Sequence, residues 1–312
     1  MCLAVLALNQ HPRYGLVLVA NRDEFHARPS SALASWALAS GATVTTVFSG
    51  RDEQAGGTWL GATASGRIAL LTNVRRPWVT PPKAPSRGHL VTDWLASTAP
   101  AEPFWQQAAA RGCAPFNLLM GDLSAGAADD AAGADEGAHA NTGRWARRCA
   151  GRWFWGSNVG GGADGLAPAQ RWLAPSGLFG LSNAALETPW PKLVRLKAAV
   201  AQALQAHGAA AETSEAATLP ALSQALWLAL AERRRSPDAE LPQTGVSLEL
   251  ERMLSSIFID DGRGVYGTRC SSVLLVERAA ALGQPRQAHL LERRFAPGGA
   301  LLGQTQLSWA LA

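Results

Sequence analysis

Cysteine, tyrosine and net charge are all scarce in this 312-residue chain. The four cysteines, Cys2, Cys113, Cys149 and Cys270, form no CxxC pair and no Cys/His spacing suited to a metal ion. Such wide spacing argues against a disulfide framework, and Cys113, Cys149 and Cys270 sit in apolar or strand-like contexts that read as packed thiols. Lys+Arg 28 against Asp+Glu 24 leaves only +4. That surplus is too small and too scattered for a nucleic-acid partner. The densest basic run, Arg233–Arg235, closes a helix-like segment, where positive charge suits the helix dipole. No uninterrupted apolar run reaches transmembrane length, which excludes stable membrane insertion by a helix. The opening apolar run is short and lacks a basic flank, so it reads as a strand rather than a signal peptide. No CxxCH motif for haem attachment occurs. The glycines around Gly56–Gly61 lack the strand-to-helix setting of a phosphate-binding loop. No internal repeat is evident. These absences lead to one soluble domain over residues 1–312, expected in a reducing, cytoplasmic compartment and without a cofactor.

What is present begins at the first codon. Met1-Cys2-Leu3-Ala4-Val5-Leu6-Ala7-Leu8 is an apolar, strand-like run that starts directly after a cysteine. Removal of Met1, which aminopeptidases favour before a small side chain, leaves Cys2 with both a thiol and a free α-amine. Their reference pKa values are about 8.5 and about 7.7–8.0. One residue then supplies nucleophile and base, the logic of N-terminal-nucleophile catalysis.

A second apolar run, Gly15–Ala20, follows a polar turn containing Pro12, and the pair reads as a hairpin. It leads directly into Asn21-Arg22-Asp23-Glu24, read as a polar turn. Hairpin geometry places these four beside Cys2, where an arginine can hold a thiolate or a substrate carboxylate and an acid can orient the amine. Ala32–Ser49 is small and weakly patterned. Gly56–Gly61 and Gly66–Asn73 flank a turn at Ala64–Gly66 and read as another hairpin, with Asn73 at a strand end where its amide can face an oxyanion.

Helical spacing marks Gly88–Thr98, Pro103–Arg111, a segment from Pro189 (capped by Thr188) to His207, Leu219–Arg235 and, more weakly, Leu248–Phe258. Strands are expected at Phe116–Asp122, Arg147–Gly156, Leu178–Asn183, Val265–Val276 and Ala288–Phe295. Ser124–Thr142 is Ala/Gly/Asp-rich and reads as a disordered insertion, Gly160–Gly162 as a linker and the tail beyond Pro297 as weakly ordered. Strand blocks at both ends with helices between them fit an α+β layered domain. Of the twelve tryptophans, Trp59, Trp78, Trp94, Trp105, Trp153, Trp155 and Trp190 are expected mostly in the core.

Several of these stretches, in this order, resemble one family. Met1-Cys2, Asn21-Arg22-Asp23-Glu24, Gly57-Thr58-Trp59-Leu60-Gly61 and Thr72-Asn73 carry the likeness, as do Gly180–Ala184, Glu187-Thr188-Pro189-Trp190-Pro191-Lys192 and Tyr266-Gly267-Thr268-Arg269. They are similar to the NRDE family, also called the transport and Golgi organisation protein 2 family. The resemblance implies a four-layer αββα sandwich of the N-terminal-nucleophile hydrolase type. It extends more loosely to bile-salt and penicillin-V amidases. It implies Cys2 as nucleophile, Asn73 and Asn183 as oxyanion or α-amine partners, an acid and an arginine from Asn21, Arg22, Asp23 and Glu24, and Trp59 and Arg269 as substrate-binding residues. The quartet is shifted in register from the amidase pattern Arg-Asn-x-Asp, which leaves Asp23 and Glu24 both open as the amine's partner.

Two functions follow from the likeness. One is a cysteine amidase or thioesterase acting on a small-molecule acyl compound. The other is a non-catalytic carrier or chaperone for haem or an acyl or lipid ligand, since animal members are linked to secretory-pathway organisation, haem trafficking and acyl-CoA homeostasis. His11, His26 and His89 are then weak haem-ligand candidates. A glutamine amidotransferase half shares the Cys2 start but lacks a following synthase domain.

Overall fold

In the computed structural model the residues described are 2–41, 43–76, 84–124, 150–161, 167–211, 218–279 and 284–311. Trp78, Cys149 and the stretch 125–149, which takes in nearly all of the expected insertion, lie outside them.

The first half of the chain supplies β1 (Cys2–Leu8), β2 (Tyr14–Phe25), β3 (Ser30–Ser40), β4 (Thr43–Asp52), β5 (Leu60–Thr63) and β6 (Arg67–Asn73). Helices α1 (Gly88–Ala96) and α2 (Ala101–Ala109) follow, then β7 (Phe116–Asp122), β8 (Arg152–Gly161), β9 (Ala167–Trp172) and β10 (Gly177–Leu181). Helices α3 (Pro191–Ala211), α4 (Thr218–Leu230) and the short α5 (Leu248–Met253) precede β11 (Tyr266–Glu277), β12 (Gln287–Phe295) and β13 (Leu301–Ala310). The strands form a six-stranded sheet in the order β10-β1-β2-β11-β12-β13 and a seven-stranded sheet running from β3 to β9 in sequence. Described neighbours are antiparallel throughout.

The period-two alternation of β1 explains the layering. Ala4, Leu6 and Leu8 pack against Leu60, Ile68, Leu119 and Trp153 of the other sheet. Leu3, Val5 and Ala7 pack against Leu193, Leu196 and Val200 of α3 and Leu222 and Leu226 of α4. Both faces are therefore apolar, as the run of seven buried residues requires. On the far side of the seven-stranded sheet, Ala69, Leu118 and Met120 meet Leu90, Trp94 and Trp105 of α1 and α2. Three apolar interfaces separate four layers, and the fold is the αββα sandwich. Each fully buried Leu contributes about 1.5–3 kcal/mol to this arrangement.

Polar groups stitch the sheets together where no apolar interface exists. Thr72 Oγ1 donates to Ser182 O at 2.7 Å, and Asn117 Nδ2 donates to Thr72 Oγ1 and to Ala184 O. This ties β6 and β7 to the chain leaving β10.

Several expectations are corrected. Asn21–Glu24 is no turn: β2 continues to Phe25 because β11 pairs with it as far as Tyr266↔Phe25. The weakly patterned Ala32–Ser49 becomes the edge hairpin β3–β4, whose small, half-exposed residues give little alternation to read. The tail beyond Pro297 is strand β13, held by main-chain pairing to β12 along a largely exposed edge. Gly160 and Gly161 belong to β8 rather than to a linker, and Gly162 lies outside the described residues. Helix α3 begins at Pro191, two residues later than expected, and β9 is a further strand that the sequence did not announce. Of the tryptophans, Trp94, Trp105, Trp153 and Trp155 are buried core, as expected.

Candidate active site

Three ladders bring a row of side chains to one end of the six-stranded sheet. Cys2 pairs with Arg22, Arg22 with Cys270 and Cys270 with Arg294. The pleat turns this row toward the second sheet, like Ala4 and Leu6. Cys2 and Cys270 stand two ladder spacings apart, about 10 Å, beyond the reach of a disulfide. Both thiols are free.

Cys2 opens onto a cavity of about 560 Å³. Arg22, Asp23 and Glu24 of β2 line it, with Asp52 of β4, Trp59 on the approach to β5 and Asn73 at the end of β6. The segment Ala84–Gly88, leading into α1, closes the opposite wall. Gly57 lets that wall approach, because a Cβ there would lie 2.4 Å from the Gly88 carbonyl carbon. A second cavity of about 830 Å³ shares Glu24, Arg28, Asn73 and Arg87 with the first. It runs out along Leu250, Met253 and Leu254, with Phe25 and Val265 also lining it. The two make one continuous cleft with a polar inner lobe and a more apolar outer one.

Arg22 is the best-defined side chain of the inner lobe. Its guanidinium carbon lies 4.2 Å from the Trp59 ring centroid, and Nη2 is 3.6 Å from Asp52 Oδ2. Asp52 is also held by Arg28 at 2.7 Å. Arg22 Nη1 is buried and has no hydrogen-bond partner among the described residues. A guanidinium clamped by stacking and one carboxylate, with a spare donor beside a thiol, is a preorganised electrophilic group.

The opposite, helix-facing side of the strand ends holds a second set of charges. Asp23 accepts a hydrogen bond from Thr268 Oγ1 at 2.7 Å and is almost wholly buried. Burial raises its pKa, while the amino terminus, Lys192 and the Thr268 hydroxyl oppose the rise. Arg75 and Glu251 form a buried ion pair at 2.6 Å, and the Arg75 guanidinium lies 4.8 Å from the Trp190 ring centroid. Glu251 also accepts from Thr244 N at 2.9 Å. Lys192, second residue of α3, is buried and pushed down to about 8, chiefly by desolvation. Desolvation lifts the Cys2 thiol, with Asp23 adding to the rise and Arg22 opposing it. Desolvation likewise holds the Tyr266 phenol well above its ordinary range, reinforced by Asp23, Glu24 and Cys2.

Of the residues singled out in the sequence, Cys2, Arg22, Asp23, Glu24, Trp59 and Asn73 meet in the cavity. Three do not line it. Asn21 points to the helices, where Nδ2 donates to Leu230 O and Ile257 O and Oδ1 accepts from Ser271. Asn183 donates to Asn73 O at 2.8 Å and so fixes the end of β6 from behind. Arg269 Nη1 donates to the carbonyls of Phe25, His26 and Arg28 and holds the turn after β2. Sequence reasoning missed Asp52 and Arg87. Lys192 and Tyr266 were quoted within motifs but given no role. None of these four neighbours Cys2 in the chain, and a lone charge carries no pattern.

A family model described as Transport and Golgi organisation 2 matches residues 1–297. The chain belongs to that family. Within it, the chain is 30% identical over 294 residues to the human Transport and Golgi organization protein 2 homolog, with 89% of each chain covered. It is 29% identical over 291 residues to the mouse Transport and Golgi organization 2 homolog, again with 89% of each covered. Among solved structures it aligns with a Caenorhabditis elegans ortholog of N-acylethanolamine-hydrolyzing acid amidase. That alignment has 9% identity and a TM-score of 0.40, and covers 87% of this chain and 92% of the other. It also aligns with the C2A mutant of the conjugated bile acid hydrolase from Clostridium perfringens, at 8% identity and a TM-score of 0.42, covering 99% and 96%. No described helix is long and apolar enough to cross a membrane.

Proposed function

We propose that this family member is an N-terminal-nucleophile hydrolase that cleaves the amide or thioester of a small acyl compound through Cys2. The observation that carries the reading is the placement of Cys2. Its thiol heads β1 at the polar inner lobe of the cleft, directly across the ladder from Arg22 with its spare donor.

With Met1 removed, Sγ bonds to the substrate carbonyl carbon and the thiol proton passes to the α-amine of Cys2. Arg22 Nη1 and the Asn73 amide face the oxygen on which charge develops. Collapse of the adduct breaks the C–N or C–S bond, and the amine returns the proton to the leaving group. Water then attacks the acyl-enzyme by the same route and releases a carboxylic acid. Asp23, buried beneath the strand end, orients the amine; Glu24 stands in the cleft itself, where its Oε1 accepts from Phe25 N at 2.9 Å.

The larger outer lobe favours one second reading, a carrier for an acyl or lipid ligand, because Leu250, Met253 and Leu254 offer an apolar wall beside the arginines. His11, His26 and His89 line neither lobe, so the site gives a haem ligand no support.

Intact mass after brief exposure to an activated acyl ester, with the adduct located by peptide mapping, separates the two. Loss of Met1 with rapid acylation confined to Cys2 supports the hydrolase. Retained Met1, or a processed Cys2 that stays unmodified, supports the carrier.

A further inference from the structure

We propose that Lys192 is a positioning residue for the Cys2 centre: as a cation it balances the buried Asp23 carboxylate, so that the α-amine of processed Cys2 is left a neutral base at pH 7. The inference rests on the N-terminal-nucleophile reading above and adds to it a residue on the opposite side of the sheet.

The geometry begins with the pleat. Cys2 and Arg22 face the second sheet, whereas Asp23, like Val17 and Val19, belongs to the face covered by helices. The amino terminus, at the strand's own end, acts on Cys2 of one face and on Asp23 of the other. Asp23 is nearly inaccessible, and so is Lys192 on the first turn of α3. The Lys192 ammonium has no hydrogen-bond partner among the described residues. A lysine so deeply buried and so unpartnered is costly, and lysine is rare in this chain: Lys83, Lys192 and Lys197 are the three it contains. Lys197 is spent on an ion pair with Glu187.

The charges facing Lys192 come from several elements. Asp23 of β2 and Cys2 of β1 favour its cation, as does Glu251 of α5; Arg75, beyond β6, opposes it. Arg75 and Glu251 are paired with each other, so their effects largely cancel. That leaves Asp23 as the net anion, with the amino terminus and Lys192 as the two cations that act on it. Without Lys192, the amino terminus would be left to neutralise that carboxylate alone, by holding its proton. A protonated amine cannot accept one from the thiol. Tyr266 adds no charge here, since its phenol stays protonated. With its value near 8, Lys192 is still mostly charged at pH 7, as the arrangement needs.

The test is the pH profile of Cys2 acylation by p-nitrophenyl acetate in processed protein, read by peptide mapping between about pH 6 and about pH 9. In Lys192→Met the inflection should move up by about one to three units, the span typical of a lost neighbouring charge, with the high-pH rate retained. Lys192→Arg should bring the inflection back toward the parent. Superimposable profiles for Lys192→Met and the parent overturn the proposal while leaving the nucleophile in place. A second measurement needs no change at position 192. In ¹⁵N-lysine-labelled protein, the Lys192 ammonium should titrate near 8 and fall further in Asp23→Asn. Titration together with the other lysines, unmoved by Asp23→Asn, overturns the charge balance. If the parent's processed Cys2 is inert, the hydrolase reading fails, and the ammonium titration still decides whether Lys192 and Asp23 are coupled.

Discussion

Cys2 and Arg22 are cross-strand partners: the second residue of the chain and the second residue of the Asn-Arg-Asp-Glu quartet stand opposite each other on the inner face of one ladder. Trp59 covers Arg22 from the other sheet, so the thiol, the guanidinium and the indole form a single wall. Most of the expected behaviour of the site follows from that wall.

Cys2→Ala removes the nucleophile without adding volume at a strand end. Acylation by the ester probe should disappear, while the circular dichroism and the denaturation midpoint stay close to those of the parent. Continued turnover of a confirmed substrate by this variant would falsify the mechanism.

Arg22→Met keeps the stem that packs beneath Trp59 but deletes the spare donor. Single-turnover acylation should slow by about 10²–10³, the usual cost of an oxyanion donor. A rise in KM alone, with the single-turnover rate intact, assigns Arg22 to binding instead.

Glu251→Gln leaves the Arg75 guanidinium buried opposite a neutral partner. Breaking a buried pair costs about 3–5 kcal/mol, much of it from the orphaned charge. Urea denaturation should show the loss. Arg75→Met combined with Glu251→Leu should recover most of it, because both desolvation penalties then vanish.

Gly57→Ala drives a Cβ into the Gly88 backbone at 2.4 Å. Backbone cannot swing aside as a side chain does, so overpacking of about 1–3 kcal/mol is expected, with the wall entering α1 displaced from Cys2. An unchanged melting temperature and unchanged Cys2 reactivity would show that the close approach is dispensable.

Lys192 also gives stability a pH dependence. Its folded value of about 8 lies below the roughly 10.4 of an unfolded lysine. Between these two values the unfolded chain holds a proton that the folded chain does not, so this group's contribution to stability rises with pH across the window. Below about 8 both states are protonated and the burial cost is borne in full. The stability of Lys192→Met relative to the parent should therefore be greatest near neutral pH and decline toward about pH 10. A difference that stays flat with pH contradicts the buried, depressed lysine.

The sequence alone determined the pieces whose signal is local. Six apolar residues in a row after Cys2 mark a strand buried on both faces, and β1 spans the expected residues. Phe116–Asp122 and the hairpin turning at Gly66, with its φ of +89°, are equally local. Hairpin adjacency also made Cys2 and Arg22 neighbours before any fold was known.

Tertiary structure decided what depends on pairing between distant segments. β2 runs on through Asn21-Arg22-Asp23-Glu24 because β11, more than 240 residues away, supplies its hydrogen bonds. That extension sends alternate members of the quartet to opposite faces. Arg22 goes to the thiol, Asn21 to carbonyls of the helical layer, and Asp23 to Thr268 and Lys192. β13, whose mostly exposed side chains give little to read, exists because β12 offers an open edge. Asp52, Arg87 and Lys192 reach the centre from β4, the start of α1 and the start of α3, an assembly that no spacing along the chain encodes. A strand's alternation is written locally, but which face meets which partner is settled only when the sheets and helices close around it.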